Sequence, residues 1–224
     1  MTIKKMMPVL YTLLLSVFAL APDLFSDSRS TRPVGEFSRS SLEGWQSESF
    51  VSRTRYSLAV SEGITILKAE SRSSSSGMGR SIRIDLEKYP YLNWSWRIEN
   101  KLTGVFDERV KSGDDHAARV YVVVSGGLAV WNTRAVNYVW ARHAEVGATW
   151  PSAYSGERSM HMVLQSFQTP VQTWQYEKRN VRKDLKMLFG RDIRYIDAVA
   201  VMTDTDDTRQ EVTAFYGDIY FSAE

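Results

Sequence analysis

The chain of 224 residues contains 28 lysines and arginines against 26 aspartates and glutamates, and 43% of its residues are hydrophobic. This balance is typical of one globular domain with a buried core. A net charge of +2 is too small to indicate a nucleic-acid partner, and the lack of cysteine excludes disulfides, thiolate nucleophiles and zinc fingers.

The first 21 residues have the pattern of a secretory signal peptide. Lys4 and Lys5 precede an uncharged apolar stretch, and Ala19-Leu20-Ala21 supplies the small residues of a cleavage site. The stretch is shorter than the roughly 20 apolar residues of a membrane-spanning helix, so a retained anchor is the weaker alternative. We predict that residues 1–21 are removed, that no transmembrane segment remains, and that the protein is periplasmic or secreted.

The next segment, residues 22–44, is rich in Ser, Arg and Pro, which predicts a flexible linker. From Trp45 onward, short alternating or β-branched runs are separated by turn residues, a pattern typical of antiparallel strands. Residues 45–224 are therefore predicted to form one all-β domain. The predicted strands span residues 45–50, 57–60, 64–70, 81–86, 91–99, 117–125, 135–141, 160–167, 173–179, 195–203 and 212–222.

About ten strands require two packed sheets or a barrel. One short helix interrupts them, because Asn180 is a favourable N-cap and Gly190 a favourable C-terminal stop. The apolar face of this helix comprises Val181, Leu185, Leu188 and Phe189. The serine run at residues 73–76 predicts a loop. The expected fold is a jelly-roll-like antiparallel β-sandwich with one short helix.

Several tryptophans invite comparison with aromatic platforms that stack on sugars. Alternation along residues 91–99 places Trp94 and Trp96 on the core side of a strand, with Asn93 and Arg97 on the opposite side. Trp131 and Trp150 lie beside loop signals and are the predicted candidates for an exposed platform.

A polar cluster is predicted where Asp114 and Asp115 precede a strand. Asp115, Arg119 and Tyr121 have the same parity, so they are expected on the outward face near Arg97. Arg and Asp side chains there would bind hydroxyl or carboxylate groups, and a structural salt bridge is the alternative. The predicted ligand-binding residues are Asn93, Arg97, Asp114, Asp115, Arg119, Tyr121 and Trp131.

Clustered acids near the C-terminus raise the question of calcium, which prefers oxygen ligands. The candidate ligands of a structural calcium ion are Asp204, Asp206, Asp207 and Asp218. The spacing does not fit an EF-hand loop, and a turn in which Asp and Thr side chains bond their own backbone is the alternative. No other cofactor is expected.

Catalytic motifs do not appear in the sequence. His116, His143 and His161 are isolated from one another, and neither H-E-x-x-H nor G-x-S-x-G occurs. No catalytic residue is assigned. Two carboxylates at a suitable separation would suffice for glycoside cleavage, so a carbohydrate-active hydrolase or lyase stays open as an alternative.

Five segments taken in order are similar to one bacterial family, the domain of unknown function 3047. The segments are residues 92–97, 113–121, 138–140, 202–208 and 216–219. The resemblance spans roughly residues 42–222 and implies an exported β-sandwich protein without an established activity, so it supplies no catalytic residues. His116 departs from the small or aromatic residue expected there.

These observations favour a non-catalytic binding module for a glycan or another hydroxyl-rich or acidic ligand. The alternatives are the hydrolase or lyase and a structural envelope protein that binds another protein. Nucleic acid is not an expected partner, and the sequence does not define an oligomeric state.

Overall fold

The structure is a computed structural model that describes residues 30–224. The predicted signal peptide and residues 22–29 of the predicted linker lie outside the described residues. Over residues 30–224 the fold is an all-β sandwich of two sheets with one α-helix, which confirms the predicted fold class. The strands are β1 (Thr31–Gly35), β2 (Trp45–Val51), β3 (Arg55–Ser61), β4 (Ile64–Arg72), β5 (Ser75–Asp85), β6 (Tyr91–Ile98), β7 (Arg119–Val124), β8 (Arg134–Trp140), β9 (Thr149–Ser152), β10 (Gly156–Gln165), β11 (Gln175–Asn180), β12 (Tyr195–Asp204), β13 (Glu211–Tyr216) and β14 (Ile219–Ser222).

Sheet 1 is organised around β6. Along one edge of β6, β13 pairs with its C-terminal half and β14 with its N-terminal half, while β11 pairs with the other edge. The sheet continues from β13 to β4 and β3, and from β14 to β1. The strand predicted over residues 212–222 is divided into β13 and β14 at Gly217. An added Cβ at Gly217 would lie 2.2 Å from Oγ of Ser95.

Sheet 2 has the order β2-β5-β12-β7-β8-β10-β9. Its neighbouring strands are antiparallel except for β8 and β10, which are parallel. The long connection from β8 to β10 contains β9, a short strand that the sequence patterns do not predict. No helix among the described residues is long and apolar enough to span a membrane.

The core between the sheets contains the predicted tryptophans. Trp94 and Trp96 are 3% and 0% exposed, which confirms their predicted orientation. The ring of Trp94 lies 5.4 Å from that of Tyr138, and the ring of Trp96 lies 5.9 Å from that of Trp140. These distances are those of favourable aromatic pairs, so the two sheets are joined by aromatic contacts between β6 and β8.

The predicted helix is α1 (Val181–Phe189). The side chain of Asn180 accepts a hydrogen bond from the backbone N–H of Lys183, and Gly190 ends the helix with a φ of 66°. Asp184 accepts a 2.7 Å hydrogen bond from the Tyr138 hydroxyl, which ties the helix to sheet 2.

The prediction of a flexible linker over residues 22–44 is wrong for its described part. β1 pairs with β14 at the edge of sheet 1, an edge position that tolerates Pro33. Val34 and Phe37 are fully buried, and the Phe37 ring packs against Trp45 at 5.4 Å. The prediction failed because the segment is polar on average, although it contains these two apolar residues. Their burial makes the segment part of the domain.

The serine run at residues 73–76 is only partly the predicted loop. Ser73 turns the chain with a φ of 44°, but β5 begins at Ser75. Ser76 Oγ accepts a 2.8 Å hydrogen bond from the backbone N–H of Thr54, and Ser74 Oγ lies 2.9 Å from Oγ of Ser71. Because these hydroxyls are satisfied inside the protein, the serines can occupy a buried strand end.

Replacing Phe37 by alanine tests whether the N-terminal segment belongs to the domain. We expect Phe37→Ala to lower the free energy of unfolding by roughly 3–5 kcal/mol, because a fully buried ring leaves a cavity. Chemical denaturation measures the loss. Phe167→Ala is the matched control, since Phe167 is 54% exposed and should cost less than about 1 kcal/mol. Equal losses in the two variants would contradict the packing of this segment.

Removing the helix cap should have a smaller effect. Asn180→Ala is expected to lower the free energy of unfolding by about 1 kcal/mol, because the N–H of Lys183 loses its acceptor. Asn180→Asp retains an equivalent cap and should stay within about 0.5 kcal/mol of the parent protein. A urea titration measures the free energy of unfolding of both variants. An equal decrease in the aspartate and alanine variants would argue against capping by Asn180.

Candidate functional site

Sheet 1 presents an outward face that combines aromatic and polar side chains. This sheet 1 face is formed by outward side chains of β6, β11, β13 and β14 and by Trp174, which directly precedes β11. Its residues include Asn93, Arg97, Trp174, Tyr176, Lys178, Phe215 and Tyr220. Tyr176 is 80% exposed and Tyr220 is 38% exposed. The face therefore offers aromatic surface to solvent on both sides of the central strand.

The register fixes how these aromatics are arranged. Tyr176 on β11 lies opposite Ser95 of β6, and Tyr220 on β14 lies opposite Asn93. The two tyrosines are therefore two strands apart and offset by two residues, a separation of about 12 Å in a flat sheet. Asn93 occupies the central strand between them.

Arg97 lies close to two aromatic rings. Its guanidinium carbon lies 4.5 Å from the centre of the Phe215 ring and 5.5 Å from that of the Trp174 ring. A terminal nitrogen lies 3.6 Å from a carboxylate oxygen of Glu99. Stacking of this kind restricts the orientation of the guanidinium, so Arg97 is a fixed cation within the aromatic surface.

Asn93 is also held in place. Its amide nitrogen donates to the Tyr91 carbonyl at 3.1 Å and to the Ser222 hydroxyl at 2.9 Å. Lys178 lies opposite Asn93 on β11, with its ammonium 4.9 Å from the centre of the Tyr91 ring. Asn93 and Arg97 thus face outward as predicted, and both belong to sheet 1.

The rest of the predicted cluster lies on the outward side of sheet 2. Arg119 at the start of β7 is 3% exposed and makes two hydrogen bonds to Asp204, of 2.9 Å from Nε and 2.7 Å from a terminal nitrogen. Arg119 also lies 3.3 Å from the Tyr121 hydroxyl. The prediction of one polar face that includes Arg97 is therefore wrong, because β6 and β7 belong to different sheets.

Asp114 and Asp115 are buried beside Arg119. Asp114 lies 3.3 Å from a terminal nitrogen of Arg119. Burial raises the pKa of the Asp114 carboxyl, but Arg119 and the neighbouring imidazoles outweigh that effect and hold the pKa well below its usual range. Asp115 accepts hydrogen bonds from the backbone N–H groups of Asp207 and Thr208. These carboxylates join loops to the end of sheet 2.

The two remaining predicted ligand-binding residues lie apart from the sheet 1 face. Tyr121 is half-buried, and burial raises the pKa of its hydroxyl to about 12 although Arg119 opposes the shift. Trp131 is 63% exposed on a short 3₁₀ turn between β7 and β8. Trp150, the other predicted platform residue, is 5% exposed and stacks on His161, so it is not an exposed platform.

The four candidate calcium ligands do not form one group. Carboxylate oxygens of Asp204 and Asp206 lie within 4.8 Å of each other and of Asp115. Asp207 accepts a 2.7 Å hydrogen bond from the Tyr154 hydroxyl. Asp218 lies between β13 and β14 and accepts hydrogen bonds from Ser38 in the short 3₁₀ turn after β1. It belongs to no metal-like group among residues 30–224.

Sequence reasoning missed two features. His116 and His161, isolated in sequence, lie with their rings 5.4 Å apart beside Asp114. Only the pairing of β7, β8 and β10 brings them together, and no local spacing signals it. Tyr220 lies between the buried apolar residues Ile219 and Phe221, a period-two signal that could have placed it on an outward face. Tyr176 lies between Gln175 and Glu177, which are polar and half-buried, so its strand carries no such signal.

Solved structures align with the chain at low similarity. The family 11 carbohydrate-binding module of the cellulase Lic26A-Cel5E of Clostridium thermocellum aligns with a TM-score of 0.46 and 8% identity, covering 87% of this chain and 95% of that chain. The family 30 module of Cel9D-Cel44B from the same organism gives 0.46 and 12%, covering 81% and 92%. A variant of the Cel12A cellulase of Rhodothermus marinus gives 0.45 and 12%, covering 84% and 93%.

No curated protein sequence matches the chain. A family model described as a protein of unknown function, DUF3047, matches residues 43–220. The match confirms the resemblance predicted over roughly residues 42–222, and it covers most of the chain. The chain therefore belongs to the DUF3047 family.

Proposed function

We propose that the protein is a non-catalytic binding module whose sheet 1 face holds a glycan. The observation that carries this proposal is the outward exposure of Tyr176 and Tyr220 on one face, with Asn93 between them and Arg97 further along the same strand. Large aromatic side chains exposed together on a sheet usually have a partner.

The aromatic side chains supply the apolar part of such a site. Tyr and Trp present flat, rigid surfaces with polar tips, so they can cover the apolar faces of sugar rings without losing much side-chain entropy. Trp174 and Tyr176 are two residues apart, roughly 7 Å along an extended chain. An elongated ligand would contact them in succession.

The polar side chains supply directional contacts. Arg97 offers planar N–H donors and lies close to two rings, and Lys178 offers an ammonium group. Fixed donors cost little entropy when they bind hydroxyls, which favours recognition of a hydroxyl-rich ligand. The two cations also favour glycans that carry carboxylates.

The burial of the acids argues against a hydrolase, whereas the exposed sheet 1 face favours a binding module. Asp114, Asp204 and Glu108 are each 3% exposed. A polymeric substrate cannot contact carboxylates that are covered in this way, whereas an open sheet accepts a chain along its length. These observations support binding at the sheet 1 face over catalysis by the buried acids.

Affinity electrophoresis of the full chain in gels that contain one soluble polysaccharide tests the proposal. The panel comprises mixed-linkage β-glucan, xyloglucan, arabinoxylan, galactomannan and polygalacturonate. We expect retardation by at least one of them, and we expect Tyr176→Ala to weaken that binding by about tenfold or more. A Tyr220→Ala variant should act in the same direction.

Trp131→Ala is the matched control, because Trp131 is an exposed aromatic residue between strands of sheet 2. Its affinity should equal that of the parent protein. Loss of binding in this variant, with the Tyr176 variant unaffected, would move the site to sheet 2. Failure of all five polysaccharides to retard the folded protein would count against a glycan of these classes.

We also propose that the protein is exported, on the basis of Lys4, Lys5 and the apolar stretch that follows them. Expression of the full chain in a bacterium should yield a periplasmic product shortened by roughly 20 residues. A Leu13→Arg, Leu14→Arg double variant should accumulate unprocessed in the cytoplasm. Cell fractionation and mass spectrometry measure both outcomes, and an unshortened cytoplasmic parent protein would refute export.

A further inference from the structure

Two histidines and one aspartate form a buried group on the outward side of sheet 2. We call it the histidine site, and its members are Asp114, His116 and His161. They are 3%, 0% and 1% exposed. Asp114 and His116 belong to the segment before β7, and His161 belongs to β10. The site thus joins a loop to the sheet.

The distances within the histidine site match those between ligands of one ion. Nε2 of His116 and Nε2 of His161 lie 3.6 and 3.4 Å from the same Asp114 oxygen, Oδ1. These separations exceed those of ordinary N–H···O hydrogen bonds, about 2.7–3.2 Å. Two ligands at about 2.0–2.1 Å from a tetrahedral zinc ion lie roughly 3.4 Å apart.

His116 supplies an independent observation. Neither of its ring nitrogens has a hydrogen-bond partner within the described part of the chain, although the residue is fully buried. A buried imidazole without partners loses its hydration without compensation. An ion bound to Nε2 would remove part of this cost. Oε1 of Glu108 lies 3.9 Å from Nδ1, on the side where an orienting carboxylate usually stands in histidine metal sites.

His161 is the second imidazole of the site. A terminal nitrogen of Arg119 lies 3.3 Å from Nε2 of His161. Arg has donors and no acceptor, so Nε2 is the unprotonated nitrogen in this contact. Nε2 has one lone pair, so an ion bound there replaces this contact with Arg119. Two hydrogen bonds to Asp204 offset the positive charge of Arg119.

The surrounding charges also call for a cation. The buried carboxylates of this region are Glu108, Asp114, Asp115 and Asp204, and the buried guanidiniums are Arg119 and Arg142. Burial raises the pKa of the Asp204 carboxyl well above its usual range. With neutral imidazoles, the negative charges of this set outnumber the positive ones even when Asp204 keeps its proton. Buried charges are usually paired or bound to a metal, and one divalent ion would balance this set.

From these observations we infer that Asp114, His116 and His161 bind one divalent transition-metal ion of the zinc type. Two imidazole ligands favour zinc and its neighbours over calcium or magnesium, which prefer oxygen. Because the site is buried, the ion acts structurally and clamps the segment before β7 onto β10. The site is separate from the sheet 1 face. It adjoins the acids considered for calcium, because Asp204 accepts a hydrogen bond from the backbone N–H of His116.

Equilibrium dialysis of the full chain without an oligohistidine tag tests this inference. The protein is stripped with a chelator, equilibrated with Zn²⁺ and measured by elemental mass spectrometry. We expect one zinc per chain with submicromolar affinity and a melting temperature raised by at least about 5 °C at zinc a hundredfold above the dissociation constant. Co²⁺ in place of zinc should give the visible absorption of a tetrahedral site. A folded parent protein that binds neither ion would overturn the inference.

The three histidines of the chain provide matched variants. His116→Gln and His161→Gln should each lose the bound zinc, whereas His143→Gln should retain it, because His143 is exposed and contacts the Gly104 carbonyl. Asp114→Asn preserves the shape of the side chain and should weaken zinc binding by about tenfold or more. This variant tests the inference if a histidine variant fails to fold. Retention of zinc by all folded site variants, or its loss from the His143 variant, would place the ion elsewhere.

Discussion

Trp94 and Trp96 project from β6 into the space between the sheets, where their rings contact Tyr138 and Trp140 of β8. The same strand pairs with β11 on one edge and with β13 and β14 on the other. Strict alternation along β6 therefore does two things at once. It fills the core with large rings on one side and leaves Asn93, Ser95 and Arg97 on the other. A shift of the register by one residue would destroy both the core and the sheet 1 face.

Much of the fold could be predicted because it depends on local signals. Alternation located most strands, and Asn180 and Gly190 located both ends of the helix. The failures have nonlocal causes. β1 is held by pairing with β14, almost 190 residues away, and by burial of Val34 and Phe37, so the composition of its own segment concealed it. The serine run enters β5 because its polar groups have partners that are distant in sequence or on another strand. The hydroxyls of Ser76 and Ser74 pair with Thr54 and Ser71, and the backbone N–H of Ser74 donates to the Thr205 hydroxyl.

The candidate sites were less predictable, since each combines residues from several strands. Parity correctly directed Asn93 and Arg97 outward, but it could not reveal that Arg119 and Asp115 belong to the other sheet. His116 and His161 are 45 residues apart and meet only through the order β7-β8-β10, which includes a parallel pair. Two glycan-facing tyrosines, as we propose them, stand on strands that are neighbours of β6 only in three dimensions. A period-two pattern shows on which side of its strand a residue lies. Only the order of the strands shows which strands contribute residues to the same face of a sheet.

The placement of β13 and β14 beside β6 also determines when the protein can fold. During synthesis, β6 emerges more than 100 residues before the strands that cover one of its edges. Until residue 222 is available, that edge has unpaired backbone groups and the tryptophans lack part of their surroundings. Contacts of such long sequence separation form slowly, and an uncovered central strand is prone to intermolecular pairing. Chains that lack the last dozen residues would therefore leave one edge of the central strand β6 unpaired, although the missing residues lie at the end of the sequence.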